Sequence, residues 1–471
     1  MKECIKSIVL TMLIISNFIL GSLVLSDKKL WSDGGYNFFS DSGIFSELSK
    51  KLELPLRKKS QVTTHLEYPE LLVINTGYQT SRLSLDRSDS RFEELSLILN
   101  KYLKSAFETP QKFIKTDTNA FYSTLSAKSV YIRYPVTYDS SLFAYLLGIV
   151  DTDANQQFSS LKNIIVTYDG DVFVEDSSTG AAYRCYTSLT DTKLSEIIND
   201  CINAPNDTNQ VINYAFDLGF DKAFGNQKAL LSPTITLYSD ELSVGAINSH
   251  IPTLNAASEP SATIAEDILK VFNMNTNVFR RYTEADGTLV FVENNATLKI
   301  SPFGDVSYNA TENGVMLSDD TAMNKYELLP RLAEFVNNVN RAANSSNSLQ
   351  LSSNLTRNEL TGNIINVSFD YLANGIPVIP TSQEINNAIN VTIENGRITK
   401  YRHRVRSYTP SGNNHTVENC IYALDAAIAR LEGQLNDIEI NTLDVVYRDD
   451  SQTGVKLPSW NVGIKEVVIN G

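Results

Sequence analysis

The stretch from Ile5 to Leu25, IKSIVLTMLIISNFILGSLVL, narrows what this chain can become more than any other part of it. From Ile8 to Leu25 it carries no charge. As a helix at about 1.5 Å per residue it would reach roughly 27 Å, close to the hydrocarbon thickness of a bilayer. A single segment can cross there only as a helix, because every backbone N–H and C=O must find its partner internally. Lys2 and Lys6 precede the run, which predicts a cytoplasmic N-terminus and an exported body, with Trp31 at interface depth. Lys28 and Lys29 weaken that bias without reversing it. The alternative is a signal peptide cleaved before Asp27. The run is longer than an ordinary signal core and Val24-Leu25-Ser26 lacks Ala, so an uncleaved anchor is the expectation. Inside the run, Asn17 and Gly21 lie one turn apart. A polar and a small residue on one helix face favour close approach of a second membrane helix, although one Asn can also be carried passively in an anchor.

The rest of the chain is too long for one core and predicts two or three domains. Its 54 acidic against 40 basic residues leave a net charge of −14. That balance argues against a general nucleic-acid role, since phosphate binding needs a basic face. No second apolar run approaches membrane length. Four cysteines, Cys4, Cys185, Cys201 and Cys420, are too few for a disulfide-scaffolded domain. Cys185 and Cys201 could pair, but nothing in the sequence fixes their proximity, and two buried thiols are the favoured reading.

Hydrophobic periodicity predicts a mixed α+β body. LLVIN (Leu71 to Asn75) reads as a short apolar strand. A helix opens at Ser90, with Ser90 and Glu93 at capping-box spacing and Phe92, Leu95, Leu99, Tyr102, Leu103 and Ala106 on one face. Val130 to Tyr134 is a strand halted by Pro135, and Ser140 to Leu147 a short helix. A hairpin turns at Asp169-Gly170. Helices follow over Thr190 to Ile202 and Ile264 to Phe272, the second after a loop from Asn248 to Ala262. From about Gly287 the chain repeats a ββ-α-ββ pattern twice. The first helix carries Leu328, Leu332, Phe335, Val336 and Val339 on one face, with Pro330 in its first turn. The second begins after Thr416 and carries Ile421, Leu424, Ile428, Leu431 and Leu435. Strands flanking one helix bury one face of a sheet under it. The expected layout is an anchor over 1–30, an N-terminal α+β domain over 31–275, and ββαββ-like domains over 276–383 and 384–471.

Chemistry-bearing motifs are scarce. The chain has no Gly-x-Ser-x-Gly elbow, His-Glu-x-x-His pair, Walker loop or GxGxxG turn. Its four histidines are scattered. Asp151, Asp153 and Asn155 begin like a calcium loop, which then lacks the sixth-position Gly and has Lys162 where the bidentate Glu belongs. No metal, cofactor or catalytic residue is therefore expected. One contact surface does stand out. Lys400, Arg402, Arg404 and Arg406 alternate with Thr399, Tyr401, His403 and Val405, so a strand would put four cations on one face. If Glu394-Asn395-Gly396 forms a three-residue loop, Val391 and Ile393 share the inner face with Tyr401 and Val405. The cations then stand outside, as a solvated face or as a docking strip for an acidic partner or wall polymer.

At FNMNTNVFRRY and GTLVFVENNATLKISPFGDVSY the chain resembles the YycH (WalH) family, through Leu298, Ile300, Pro302, Gly304 and Tyr308. SVYIRYPVTYDSSLFAYLL from Ser129, the opening Lys-Ser-Ile-Val-Leu-Thr and the late GIPVIP are similar too. The resemblance implies a single N-terminal membrane helix and an extracytoplasmic body of several domains. It further implies contacts with a YycG (WalK) sensor kinase and a YycI (WalI) protein in a cell-wall two-component system. It brings no catalytic residues. The competing expectation is a cell-wall enzyme or carbohydrate-binding module outside the membrane.

Overall fold

In a computed structural model, the described residues run over 66–465. Short internal stretches fall outside them, the longest at 150–156, 204–211, 318–324 and 432–437. The membrane run, with Asn17 and Gly21, and the Asp151–Asn155 loop both lie outside them, as does Leu435. The described residues belong to one compact unit, Val62–Gly471.

The first part comprises β1 (Leu71–Thr76), β2 (Arg82–Asp86), α1 (Ser90–Phe107), β3 (Phe113–Thr116), α2 (Thr118–Thr124) and β4 (Lys128–Asp139). It continues through α3 (Ser140–Leu146), β5 (Ser160–Thr167), β6 (Val172–Asp176), β7 (Ala182–Cys185) and α4 (Thr192–Asn203). Its strands form a seven-stranded sheet in the order β2-β1-β4-β5-β6-β7-β3. Both faces are covered. Leu72, Ile74, Val130 and Ile132 join Phe92, Leu99 and Leu103 of α1 in the main core. Leu71, Val73 and Tyr131 pack with Phe121 of α2 and Tyr214 on the other side. Burial on both faces is why LLVIN shows no alternation.

Two local expectations change. The N-cap of α1 is Asp89, whose carboxylate accepts from the Arg91 N–H at 2.9 Å, one residue before the expected cap. An extended Asp whose carboxylate faces the orphan N–H groups of the first turn serves better there than a helical Ser. Pro135 does not stop β4, because the β4–β5 register shifts between Arg133 and Tyr138 and the proline sits in that irregularity. At a bulge no ladder hydrogen bond is asked of it.

A connecting region holds β8 (Ile212–Tyr214), α5 (Ala215–Leu218), β9 (Ala229–Leu231), β10 (Thr236–Tyr238), β11 (Leu242–His250) and α6 (Glu259–Val271). Then come β12 (Arg280–Thr283), β13 (Leu289–Glu293), β14 (Ala296–Ile300), β15 (Asp305–Ala310), β16 (Val315–Met316), α7 (Leu328–Ala342) and β17 (Ser348–Leu351). Next are α8 (Arg357–Thr361), β18 (Ile364–Ala373), β19 (Ile376–Pro380), β20 (Ile389–Glu394) and β21 (Arg397–Arg404). The last elements are β22 (Ser407–Val417), α9 (Cys420–Leu431), β23 (Ile438–Asp449), β24 (Gly454–Lys456) and β25 (Pro458–Lys465).

Among the described residues these build a thirteen-stranded sheet along the path β12-β13-β14-β15-β21-β20-β18-β19-β23-β25, with β9, β16 and β17 paired off it. Strands from all three expected segments, 31–275, 276–383 and 384–471, meet in it. One face is covered by α6 and α7, where Phe272 stacks at 4.8 Å from Tyr308, 5.2 Å from Phe335 and 5.3 Å from Tyr401. Leu332 is fully buried there. Leu424 of α9 is equally buried, in a separate cluster with Ile428, Ile438 and Ile440. Each expected half holds more than two strands, a helix and two strands: α8 interrupts the first and β22 precedes the helix of the second. That last strand holds Pro410, Gly412 and two adjacent Asn, yet it pairs with β11 around a bulge. Cys185, Cys201 and Cys420 are free and buried.

Candidate functional site

The uncovered face of the large sheet is where sequence places the basic strip. Inward residues of β18, β20 and β21 (Val367, Phe369, Val391, Tyr401) are buried, so their neighbours face out. Register sets two rows across β15, β21, β20 and β18: Asn309, Lys400, Thr392 and Asn366, then Ser307, Arg402, Asn390 and Ser368. Side chains link within the rows. Thr392 Oγ1 donates to Asn366 Oδ1 at 2.9 Å, and Ser368 Oγ to Asn390 Oδ1 at 2.8 Å. The face is polar, with Lys400 and Arg402 exposed on it.

The turn that sets this register is not the expected three-residue loop. Asn395 (φ 52) and Gly396 (φ 76) make a two-residue turn closing Glu394 against Arg397. Both positive φ values match the twist of a hairpin. The missing residue of offset reappears as a bulge at Thr399, between the pairs Ile393–Ile398 and Thr392–Lys400. The inner face therefore holds Val391, Ile393 and Tyr401 as expected, but by another route.

The strip itself is divided. Arg404 is 9% exposed and lies 3.4 Å from Asp305 on β15. Arg406 is 1% exposed and does not belong to the outer face. The chain leaves β21 after Arg404 and bends toward β22, so period-two geometry fails there. Val405 N–H donates to Gly304 O at 2.8 Å, which pins the bend to the β14–β15 turn. Arg406 then points inward, donating from Nη1 to Val405 O at 2.7 Å and Phe303 O at 2.9 Å. Its Nε stands 3.7 Å from Asp449 Oδ2, which also accepts from Tyr408 OH at 2.7 Å. A buried cation needs a carboxylate and carbonyls around it, and sequence does not show that these lie at 303 and 449.

The same junction explains the Leu-x-Ile-x-Pro-x-Gly pattern. Leu298 and Ile300 are inward on β14, and Gly304 sits at φ +82 with room for no side chain. Beside it, His403 is fully buried between Tyr371 OH (2.6 Å to Nε2) and Tyr401 OH (2.9 Å to Nδ1). A neutral imidazole offers one donor and one acceptor, which two hydroxyls satisfy. Burial, reinforced by Arg406, lowers the His403 pKa to about 3, so the ring stays neutral.

Along β18 the polar face continues from Ser368 to Asp370, which opens onto a cleft of about 470 Å³ between the two sheets. Asp370 Oδ1 accepts from Ala388 N–H at 2.8 Å and Oδ2 from Asn387 Nδ2 at 3.0 Å. Burial outweighs these hydrogen bonds and lifts its pKa to about 6. Across the cleft, Arg133 of β4 lies 2.6 Å from Glu70 and bonds Asp444 of β23, an ion pair that joins the two sheets. Burial alone would lower the Arg133 pKa, but Asp444 and Glu70 outweigh it and the net shift is upward. Tyr238 and Trp460 stand at one end, their ring centroids 6.0 Å apart. None of these cleft residues was singled out from sequence. Five parts of the chain contribute them, and no local spacing marks them.

Among the described residues no cluster of His, Cys, Asp and Glu could hold a metal, and no helix is long and apolar enough to cross a membrane. No protein-family model and no curated protein matches the chain. Solved structures do. YycH from Bacillus subtilis superposes with a TM-score of 0.56 at 13% identity, over 86% of this chain and 95% of its own. The chain thus shares its fold with YycH nearly end to end. An uncharacterized protein from Eubacterium rectale ATCC 33656 aligns at TM-score 0.34 and 13% identity, over 53% of this chain and 86% of its own, too loosely to define a common fold.

Proposed function

We propose that this chain is a membrane-anchored, extracytoplasmic regulator of a cell-wall sensor kinase of the YycG (WalK) type. It works through protein–protein contacts and carries out no reaction of its own. The observation that carries this reading is the fold shared with YycH over 86% of the chain, which coincides with the family resemblance of the sequence. The helix over Ile5–Leu25 is the anchor and one contact, through Asn17 and Gly21. Outside the membrane, Lys400 and Arg402, exposed on a polar sheet face, form the patch left from the expected strip of four. A YycI-type protein is the further partner that the resemblance implies.

The test has two arms in a bacterial two-hybrid assay against the kinase, run beside a wall-regulon reporter. Asn17→Leu with Gly21→Leu removes an interhelical hydrogen bond and adds bulk, and should weaken pairing about tenfold while membrane level holds. Lys400→Glu with Arg402→Glu reverses the external patch and should weaken it further, with stability changed by less than about 0.5 kcal/mol. Both double variants matching wild type would refute the proposal. Recovery of a soluble form beginning at Asp27 would refute the anchor.

A further inference from the structure

We infer that the cleft between the two sheets binds a neutral oligosaccharide. This assignment does not depend on the kinase reading. A volume of about 470 Å³ lies within the range of small-ligand sites. Its charges select among ligands. Arg133 is held between Glu70 and Asp444, so the buried cation of the cleft is already engaged by two carboxylates. Asp86 and Asp370 add two more carboxylates to the lining, which disfavours an anionic ligand and suits hydroxyls.

The remaining lining is mixed: amides and hydroxyls, among them Gln350, Asn387, Asn461 and Ser84, alternate with aliphatic side chains such as Leu351, Ile376 and Val446. The amides and hydroxyls present paired donors and acceptors to a ligand rich in hydroxyls. Tyr238 and Trp460 supply an aromatic wall against which the C–H face of a sugar ring can lie. An extended peptide would need a free strand edge, and β18, β19 and β23 are paired on both sides. The sheet-end strands β2 and β25 line the cleft through Ser84, Asp86, Trp460 and Asn461, which makes a peptide the alternative to test.

The experiment uses the full-length chain in detergent carrying Trp31→Phe, which leaves Trp460 as its only tryptophan. Cellotetraose, maltotetraose and tetra-N-acetylchitotetraose are titrated while Trp460 fluorescence and heat are recorded. At least one should bind saturably, with a Kd below about 1 mM. Asn461→Ala and Ser84→Ala should each weaken it about tenfold while the urea midpoint stays unchanged. No saturable response to any of the three up to about 10 mM would overturn the assignment. So would binding indifferent to both variants. Tighter binding of a tetra-alanine peptide that both variants weaken would reassign the cleft to peptides and also overturn it.

Discussion

Replacing Gly304 with Ala tests the junction that turns Arg406 inward. The site is strained for any side chain, because φ is +82, and the left-handed region costs an L-residue about 1–2 kcal/mol. Space adds a second cost. A Cβ would stand 2.8 Å from Arg406 Nη1, 2.9 Å from Val405 O and 3.2 Å from Ile251 Cγ2. Arg406 has to move, and Nη1 loses its bonds to the Phe303 and Val405 carbonyls. Leaving such buried groups short of partners costs about 1–3 kcal/mol. The sum is about 2–5 kcal/mol. Gly396 is the control, since it sits at φ +76 with nothing within 4 Å of an added Cβ. Gly396→Ala should cost only the backbone strain, about 1–2 kcal/mol. Urea unfolding of the full-length protein in detergent, followed by circular dichroism, measures both midpoints at constant m. Equal midpoints for the two variants would show that Arg406 is not held as described, and the reasoning would fail.

Three further outcomes are expected. The His403 pKa of about 3 lies below its unfolded value near 6.5, so the unfolded chain takes up the proton first as pH falls. Stability should therefore drop from pH 6.5 downward, by about 2 kcal/mol at pH 5, and His403→Gln should flatten that slope in urea melts at several pH values. Asp370 has the opposite sign: its raised pKa, about 6, favours the protonated form in the fold, a stabilisation complete below pH 3.8 and lost as pH rises through 6. Relative to wild type, Asp370→Asn should thus be more stabilising at pH 8 than at pH 4 by about 2–3 kcal/mol, and a pH-independent difference would count against it. Arg82 is 2% exposed and bonds Asp217 at 2.6 and 3.2 Å, so Arg82→Ala should cost about 3–5 kcal/mol, with Asp217→Ala restoring part of it in the double variant.

Where one element decides a pattern, the sequence is a good guide. The face of α1 (Phe92, Leu95, Leu99, Tyr102, Leu103, Ala106) is buried in full, and Gly170 sits at φ +88 in the hairpin expected there. Pro330 lies in the first turn of α7. Legibility ends where distant segments decide. Alternation alone places Arg406 beside Arg402, yet the carbonyls and carboxylate that draw it inward come from residues 303 and 449. Pro135 looks like a terminator because the bulge that accommodates it depends on pairing with β5. β22 is hidden because its Pro, Gly and Asn residues carry loop signals, and only the bulged partner β11 gives them a strand's geometry. The cleft is the extreme case, built from side chains that share no local period.

The arrangement of β23 fixes the order in which this molecule can be completed. β23 lies parallel to both β9 and β19, and its Asp444 meets Arg133 from 311 positions earlier in the chain. Contacts of such separation carry a large loop-closure cost and form slowly. The seven-stranded sheet needs nothing beyond Cys185 for its ladders, whereas the large sheet keeps a bare edge on β19 until residues 438–449 arrive. A chain delivered N-terminus first would therefore hold a finished first sheet and, from the emergence of Pro380 until that of Ile438, one open, adhesive edge. Truncation before Ile438 would freeze that intermediate, with the first sheet formed and the cleft never closed.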